Sequence, residues 1–468
     1  MPTLPQPASY FAETAILSLG EAFFDPVEAA DFPQTVLRFR NDRWAPAVGL
    51  AGLSEAEWLR HFGRFEPLPD NLPQPLALRY HGHQFRVYNP DIGDGRGFLF
   101  AQLRDGAGRL LDLGTKGSGQ TPYSRFGDGR LTLKGGVREI LATEMLEALG
   151  VETSKTFSLI ETGEALERGD EPSPTRSAVL VRLQHSHIRI GTFQRLQYFE
   201  QADEMRRLAA YCLEHYYGEE PGDDSGARLL ERFVPKAAEL AASYIAAGFV
   251  HGVLNTDNIA ITAQSFDYGP WRWTPLWDGG FTAAYFDHAG LYAFGRQPEA
   301  IHWNCVQLAR ALTAISTVEA LTPSLETFPD TFQRALVRAI FWRLGIEPGE
   351  HERDSAFLVA LETALAKKTV EVDRFFFDWR GGRRRGPSPA DAAYADEAFT
   401  ALAGLLGAYA PVPGPTGHPY WSDEAPCSMH IDEVEAIWSR IDEADDWSAL
   451  DMKVAAIRRM GEALRGAA

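Results

Sequence analysis

Residues 251–270 read HGVLNTDNIAITAQSFDYGP. Asn258 and Asp267 stand nine residues apart in this stretch, and both carry the oxygen ligands that Mg²⁺ prefers. A long helical pattern at 227–248 runs straight into the stretch, so both ligands fall on the connection that follows a helix. A further carboxylate, Asp257, directly precedes the asparagine, whereas position 253 is a valine. Phosphoryl and nucleotidyl transfer need such parts: a divalent metal, cations around the phosphates, and a group that orients the attacking hydroxyl.

Working outward, the outline is close to a protein-kinase catalytic loop followed by its metal-binding triplet. Where such a kinase carries its catalytic aspartate, this chain has Val253. The loop therefore belongs either to an inactive kinase or to an enzyme that uses the same parts for another transfer. Three further pieces precede it in kinase-like order. In IGDGRGFLFAQL (92–103), Gly93, Gly95 and Gly97 permit close backbone approach to phosphate oxygens, and Arg96 adds a fork of donors. Lys116, in DLGTKGSG, ends the next strand and matches the kinase strand lysine. Glu139 lies on the following helix, where Val137, Ile140, Leu141, Met145 and Leu149 recur near helical spacing, and can pair with Lys116. Singly, these are a glycine turn, a strand-end lysine and one helix glutamate among several; the ordered series predicts a kinase-like fold. One feature is foreign to ordinary kinases. GDGR occurs twice, at 93–96 and 127–130, and Arg182 and Arg189 follow near a central strand. That is a surplus of phosphate-binding groups on the glycine-loop side, although each arginine alone also suits a structural salt bridge.

The 468-residue chain, 45% hydrophobic and 23% charged, can fill a sizeable core. The expected class is α+β: a two-lobed protein-kinase-like fold with N- and C-terminal extensions. Its parts are an N-terminal extension at 1–75, a β-rich nucleotide-binding part at 76–200, a helical lobe with catalytic loop and metal site at 201–370, and a C-terminal helical extension at 371–468. SAVLVRLQ (177–184) reads as a buried strand; 203–217, 297–320 and 328–366 read as helical. GGRRRGPSP (381–389) reads as a solvated linker. A formal charge of −19 argues against general nucleic-acid binding. Cys212, Cys305 and Cys427 form no close metal pattern or disulfide framework. No secretory signal is expected, and the apolar run LAASYIAAGFV (240–250) is too short to span a membrane. These features point to a cytoplasmic protein.

The chain resembles the selenoprotein O family, also called SelO or YdiU, of protein adenylyltransferases with a pseudokinase fold. The resemblance rests on YHGHQF (80–85), GDGRG (93–97), TKGSGQTPYSRFGDGR (115–130), VREILATEML (137–146), HSHIRIGTF (185–193), HGVLNTDN (251–258), DYGP (267–270) and QPEAIHWN (297–304). It implies ATP bound the other way round from a kinase, with AMP transferred to Ser, Thr or Tyr of a protein. By matching motifs, Gly93, Gly95, Arg96, Lys116, Asp128, Gly129, Arg182, Arg189 and Asp267 would contact the nucleotide. Glu139 would hold Lys116, Asn258 and Asp267 would bind Mg²⁺ or Mn²⁺, and Asp257 would be the proton acceptor. The inverted nucleotide also gives the second GDGR a use, because terminal phosphates then need cations where a kinase places adenine.

Relatives often carry a reactive Cys or Sec near the C-terminus, but this chain ends MGEALRGAA; Ala283 stands where a cysteine is common, and no RNYLAQ-like run appears near the end. A regulatory disulfide of that kind is therefore not expected. Two rivals to AMP transfer stay open on the residues alone: a conventional kinase using Asp257, and a silent ATP-binding scaffold.

Overall fold

Alternate residues of the segment 175–184 serve two different cores. Val179, Val181 and Leu183 join a cluster with Trp58, Phe62 and Phe157, whereas Ala178 and Leu180 join one with Val137 and Ile140. A strand covered on both faces reads as a nearly continuous apolar run, which is why SAVLVRLQ shows so little alternation. In the computed structural model, which describes residues 6–169 and 171–466, this strand is central to a nine-stranded sheet.

In chain order the strands are β1 (Ala12–Glu13), β2 (Phe24–Pro26), β3 (Val36–Arg40), β4 (Leu76–Leu78), β5 (Gly82–Gln84), β6 (Val87–Asn89), β7 (Leu99–Arg104), β8 (Leu110–Lys116), β9 (Leu131–Thr132), β10 (Lys155–Leu166), β11 (Thr175–Gln184), β12 (Phe249–Val250) and β13 (Arg272–Trp273). The helices are α1 (Glu55–Gly63), α2 (Leu133–Ala148), α3 (Ile190–Tyr198), α4 (Ala202–Cys212), α5 (Ser225–Ala247), α6 (Gln297–Leu312), α7 (Val318–Glu326), α8 (Phe328–Leu344), α9 (His351–Leu365), α10 (Val372–Asp378), α11 (Asp391–Tyr394), α12 (Glu397–Leu406), α13 (Ile431–Ala444) and α14 (Ser448–Arg465). The sheet runs β2-β4-β7-β8-β11-β10-β3, with β1 on β7 and β9 on β11, and its pairs are antiparallel. Residues before 76 thus supply both edges of the sheet.

The two faces are covered by helices whose starts are encoded locally. α1 begins with a capping box between Ser54 and Glu57 and buries Trp58 and Phe62 on the outer face. α2 begins at Thr132, whose side chain accepts from Gly135 N, and lays Val137, Ile140 and Leu141 on the inner face. The helical lobe is built on α5, which ends at Gly248 with φ +70°, a conformation that glycine adopts without Cβ strain. β12 follows, and then the opening stretch. The fold is therefore two-lobed, α+β and kinase-like, with the stretch 251–270 where the lobes meet.

The structure divides several helical patterns more finely than the sequence does. The 203–217 pattern is α4 plus a π-helical turn, Leu213–Tyr217. The 297–320 pattern breaks between α6 and α7, and 328–366 breaks at Gly345, whose φ is +67°. The 381–389 segment is not simply a solvated linker. Arg385 lies 3.9 Å over the Phe377 ring and donates to the carbonyls of Phe377 and Trp421, and Arg384 pairs with Asp391. The C-terminal helices brace α2 from behind: Lys134 pairs with Glu435 at 2.7 Å, Arg458 pairs with Glu144 at 2.6 Å, and Gly461 packs against Ala148.

Candidate active site

The register of β8 and β11 aims the polar residues at the cleft. Leu111 and Leu113 point into the outer core, so Asp112, Gly114 and Lys116 face the other way, toward the cleft. On β11, Arg182 pairs with Gly114 and shares that face. Lys116 is buried; its Nζ lies 2.5 Å from Glu139 Oε1 on α2 and 3.0 Å from Asp267 Oδ1. Arg182 approaches the same Asp267 oxygen at 3.4 Å. Asp267 has φ +63°, an uncommon backbone for a residue other than glycine. Burial raises the pKa of its carboxyl, but Lys116, Arg182, Arg189 and Arg96 outweigh burial and hold it well below the usual carboxylate range.

Arg189 is clamped from three sides: by Asp94 Oδ1 at 3.0 Å, by the Tyr80 hydroxyl at 3.0 Å and by the Asp257 carbonyl at 3.1 Å. It therefore ties the glycine loop to the catalytic stretch. Asp257 itself is buried, and burial pushes its carboxyl up to about 6 against the opposing pull of Arg189. Its Oδ1 is buried without a partner, and Gln84 Nε2 donates to Oδ2 at 3.4 Å. Asn258 donates Nδ2 to the Val253 carbonyl at 3.0 Å, and its Oδ1 has no hydrogen-bond partner among the described residues. Val253 thus serves through its backbone, as the acceptor that orients the asparagine.

A cavity of about 690 Å³ collects these residues. Its wall includes Gly93, Gly95, Arg96, Lys116, Asp128, Gly129, Arg182, Arg189, Asp257 and Asp267; Glu139 lies behind Lys116, and Asn258 stands beside the wall rather than in it. Lys116, Arg182 and Arg189 converge on Asp267 inside the cavity, and the 121–130 loop lines another part of it with Tyr123, Arg125, the fully exposed Phe126 and Arg130. The two GDGR copies differ. Arg96 is exposed and its side chain has no hydrogen-bond or ion-pair partner among the described residues, whereas Arg130 pairs with Glu164 at 2.9 Å and Asp128 with Arg168 at 2.8 Å. The first loop's glycines also have reasons within the protein. A Cβ on Gly93 would lie 2.5 Å from the Tyr123 ring, and one on Gly97 would lie 2.2 Å from the Thr115 carbonyl.

The oxygen donors at Asn258 and Asp267 are hard and fit Mg²⁺ or Mn²⁺ better than a soft metal. Among the described residues no group of three His, Cys, Asp or Glu is arranged to hold a metal alone. Further ligands would thus be substrate phosphate oxygens and water. Cys212, Cys305 and Cys427 are all free thiols.

Sequence reasoning assigned no role to Tyr80, Gln84, Asp94 or His187, although YHGHQF and HSHIRIGTF contain three of them. His187 shows how tightly the cleft floor is packed: it is 3% exposed, and a Cβ on Gly114 would lie 1.6 Å from its Nε2. We expect Gly114→Ala to displace the imidazole and lower unfolding stability by about 1–3 kcal/mol. Urea denaturation of both proteins checks this; equal midpoints would show that the floor yields freely.

Fold and site together define a kinase-like enzyme of phosphate-group or nucleotidyl transfer. The particular family follows from comparison with known proteins. Residues 7–389 match the family model described as protein adenylyltransferase SelO. The protein nucleotidyltransferase YdiU of Synechococcus elongatus is 51% identical over 373 residues, covering 78% of this chain and 74% of the relative. That of Gloeobacter violaceus is 44% identical over 459 residues, covering 93% and 92%. The chain belongs to the SelO family of protein adenylyltransferases, and its substrates accordingly include a nucleotide and a protein. Among solved structures, a Toxoplasma gondii rhoptry antigen kinase domain aligns at 10% identity with a TM-score of 0.27, covering 63% of this chain and 84% of that one; a likeness so slight carries no argument. No helix among the described residues is long and apolar enough to cross a membrane.

Proposed function

We propose that the chain transfers AMP from ATP to a Ser, Thr or Tyr hydroxyl of a protein, with pyrophosphate leaving. The observation that carries this reading is the buried cluster in the cavity, where Lys116 and Arg182 meet on Asp267 and Arg189 holds the Asp257 carbonyl. Such an arrangement favours triphosphate at these buried cations and the base toward the rim, which brings the α-phosphate nearest Asp257. Asp257 accepts the proton of the incoming hydroxyl, whose oxygen bonds to the α-phosphorus. The bond from that phosphorus to the bridging oxygen breaks, and the leaving pyrophosphate takes the electron pair. Lys116, Arg182, Arg189 and Arg96 offset the charge that develops on it. Glu139 holds Lys116 in place from α2. Asp267 and Asn258 would hold Mg²⁺ or Mn²⁺, which when bound neutralises phosphate charge and polarises the α-phosphorus. A reducing cytoplasmic setting suits the three free thiols.

Intact-mass spectrometry of an acceptor protein incubated with the enzyme, ATP and Mn²⁺ tests the chemistry. The expected product carries the mass of one AMP residue, and a chelator in excess of the metal abolishes it. A phosphate increment instead would overturn the proposal.

A further inference from the structure

The β5–β6 hairpin and the segment 281–292 form an exposed apolar face beside Asp257. Residues directly opposite across an antiparallel pair project to the same side, and Gln84 lies opposite Val87. Gln84 reaches Asp257, so Val87, 70% exposed, stands on the Asp257 side of the hairpin. His83 and Tyr88 project the other way, onto Trp303 and Tyr198. At the turn, Phe85 and Arg86 adopt φ +50° and +63°, a conformation that needs external support in residues with a Cβ. The support comes from the catalytic stretch. Phe85 N donates to Asn255 Oδ1 at 2.9 Å, and His83 N donates to Thr256 Oγ1 at 2.7 Å. Asn255 and Thr256 immediately precede Asp257, so hairpin and acid are one rigid unit.

The apolar face continues from the hairpin into 281–292. The Phe85 ring packs on Tyr292 at 5.1 Å and on Phe286 at 5.7 Å, and Phe286 packs on Tyr285 at 5.1 Å. Tyr285 is 78% exposed and Phe286 42%. The segment is fixed, because Asp287 accepts from the backbone N–H groups of Leu291 and Tyr292, and the Tyr292 hydroxyl donates to Asn255 Oδ1. The charges beside it are spent on one another: Arg86 and Arg296 both pair with Glu299. In a chain of net charge −19, a preformed, uncharged aromatic face next to the acid is the mark of a protein-binding surface.

We propose that Phe85, Val87, Tyr285 and Phe286 receive the acceptor protein, as an extended segment with an aromatic or aliphatic side chain flanking the hydroxyl residue. This rests on the AMP-transfer reading. A protein acceptor must bring its hydroxyl to Asp257; the cavity side of that acid belongs to the nucleotide, and the hairpin that covers its other side carries the exposed Val87.

The test uses synthetic peptides with a central Ser, Thr or Tyr, flanked either by Phe and Leu or by Asp and Ser, with ATP labelled at the α- or the γ-phosphate. The parent protein should label apolar-flanked peptides about tenfold faster from the α position, and Val87→Ser and Phe286→Ser should reduce that preference to about twofold or less. Tyr198→Ser, on the opposite side of the hairpin, should retain it, and displacement of a fluorescent ATP analogue should be the same in all four proteins. Equal labelling of both peptide classes by the parent, or an unchanged preference in Val87→Ser and Phe286→Ser, overturns the surface and leaves AMP transfer standing. Apolar preference with label arriving only from the γ position overturns AMP transfer and leaves the surface. No labelling of any peptide from either position overturns both.

Discussion

Asp267→Ala is expected to lower AMP transfer by about a thousandfold or more, which is a loss of about 4 kcal/mol of transition-state stabilisation. The carboxylate has two tasks in one place. It is the only charged member of the proposed Asn258–Asp267 metal pair, and it lies 3.0 Å from Lys116 and 3.4 Å from Arg182. Without it, two buried cations lose their shared counter-charge, so Lys116 is drawn wholly to Glu139 and away from the cavity. Asp267→Asn separates the metal role from folding, because it keeps the shape and one oxygen while removing the charge. It should lose about a hundredfold or more in rate and melt within a few degrees of the parent. Initial rates with α-labelled ATP across a Mn²⁺ titration, beside thermal melts, check both variants. Activity within threefold of the parent in either one would remove Asp267 from the metal site.

The second large effect is expected at Asp257. General-base assistance is worth about 10²–10⁴-fold in rate, and Asp257→Asn should lose that much in kcat. Among the described residues its carboxylate forms no ion pair; Arg189 donates to its backbone carbonyl. The KM for ATP should therefore stay within about threefold of the parent, and thermal stability should not fall, since a buried carboxyl already pushed up to about 6 is held at some cost. A parallel rise in KM with unchanged kcat would instead make Asp257 a nucleotide-positioning group.

Much of the machinery is legible in the sequence because kinase-like parts appear in order with local signals. Lys116 ends a strand of alternating faces, Glu139 sits within two helical turns of the start of α2, and Asn258 and Asp267 flank a short connection. The structure brings Lys116, Glu139 and Asp267 together as that order suggests. What stays hidden is contact over long separations between unpatterned segments. Gln84 and Asp257 are 173 residues apart, and YHGHQF has neither helical nor strand periodicity to predict a hairpin folded onto the acid. The two GDGR copies show the same limit. Identical tetrapeptides leave Arg96 free in the cavity and commit Arg130 to Glu164, and nothing within four residues distinguishes them. The tail is a third case. Amphipathic periodicity announces α13 and α14, but only packing reveals that they support the helix bearing Glu139.

The central claim is that the nucleotide lies with its α-phosphate at Asp257. Incubating the enzyme and an acceptor protein with ATP labelled at either the α- or the γ-phosphate tests it most directly. The account predicts covalent label on protein from the α position alone, with labelled pyrophosphate released when the γ position carries the label. Transfer from the γ position alone would contradict it and make the enzyme a kinase, and protein left unlabelled from both would make it a silent nucleotide-binding scaffold.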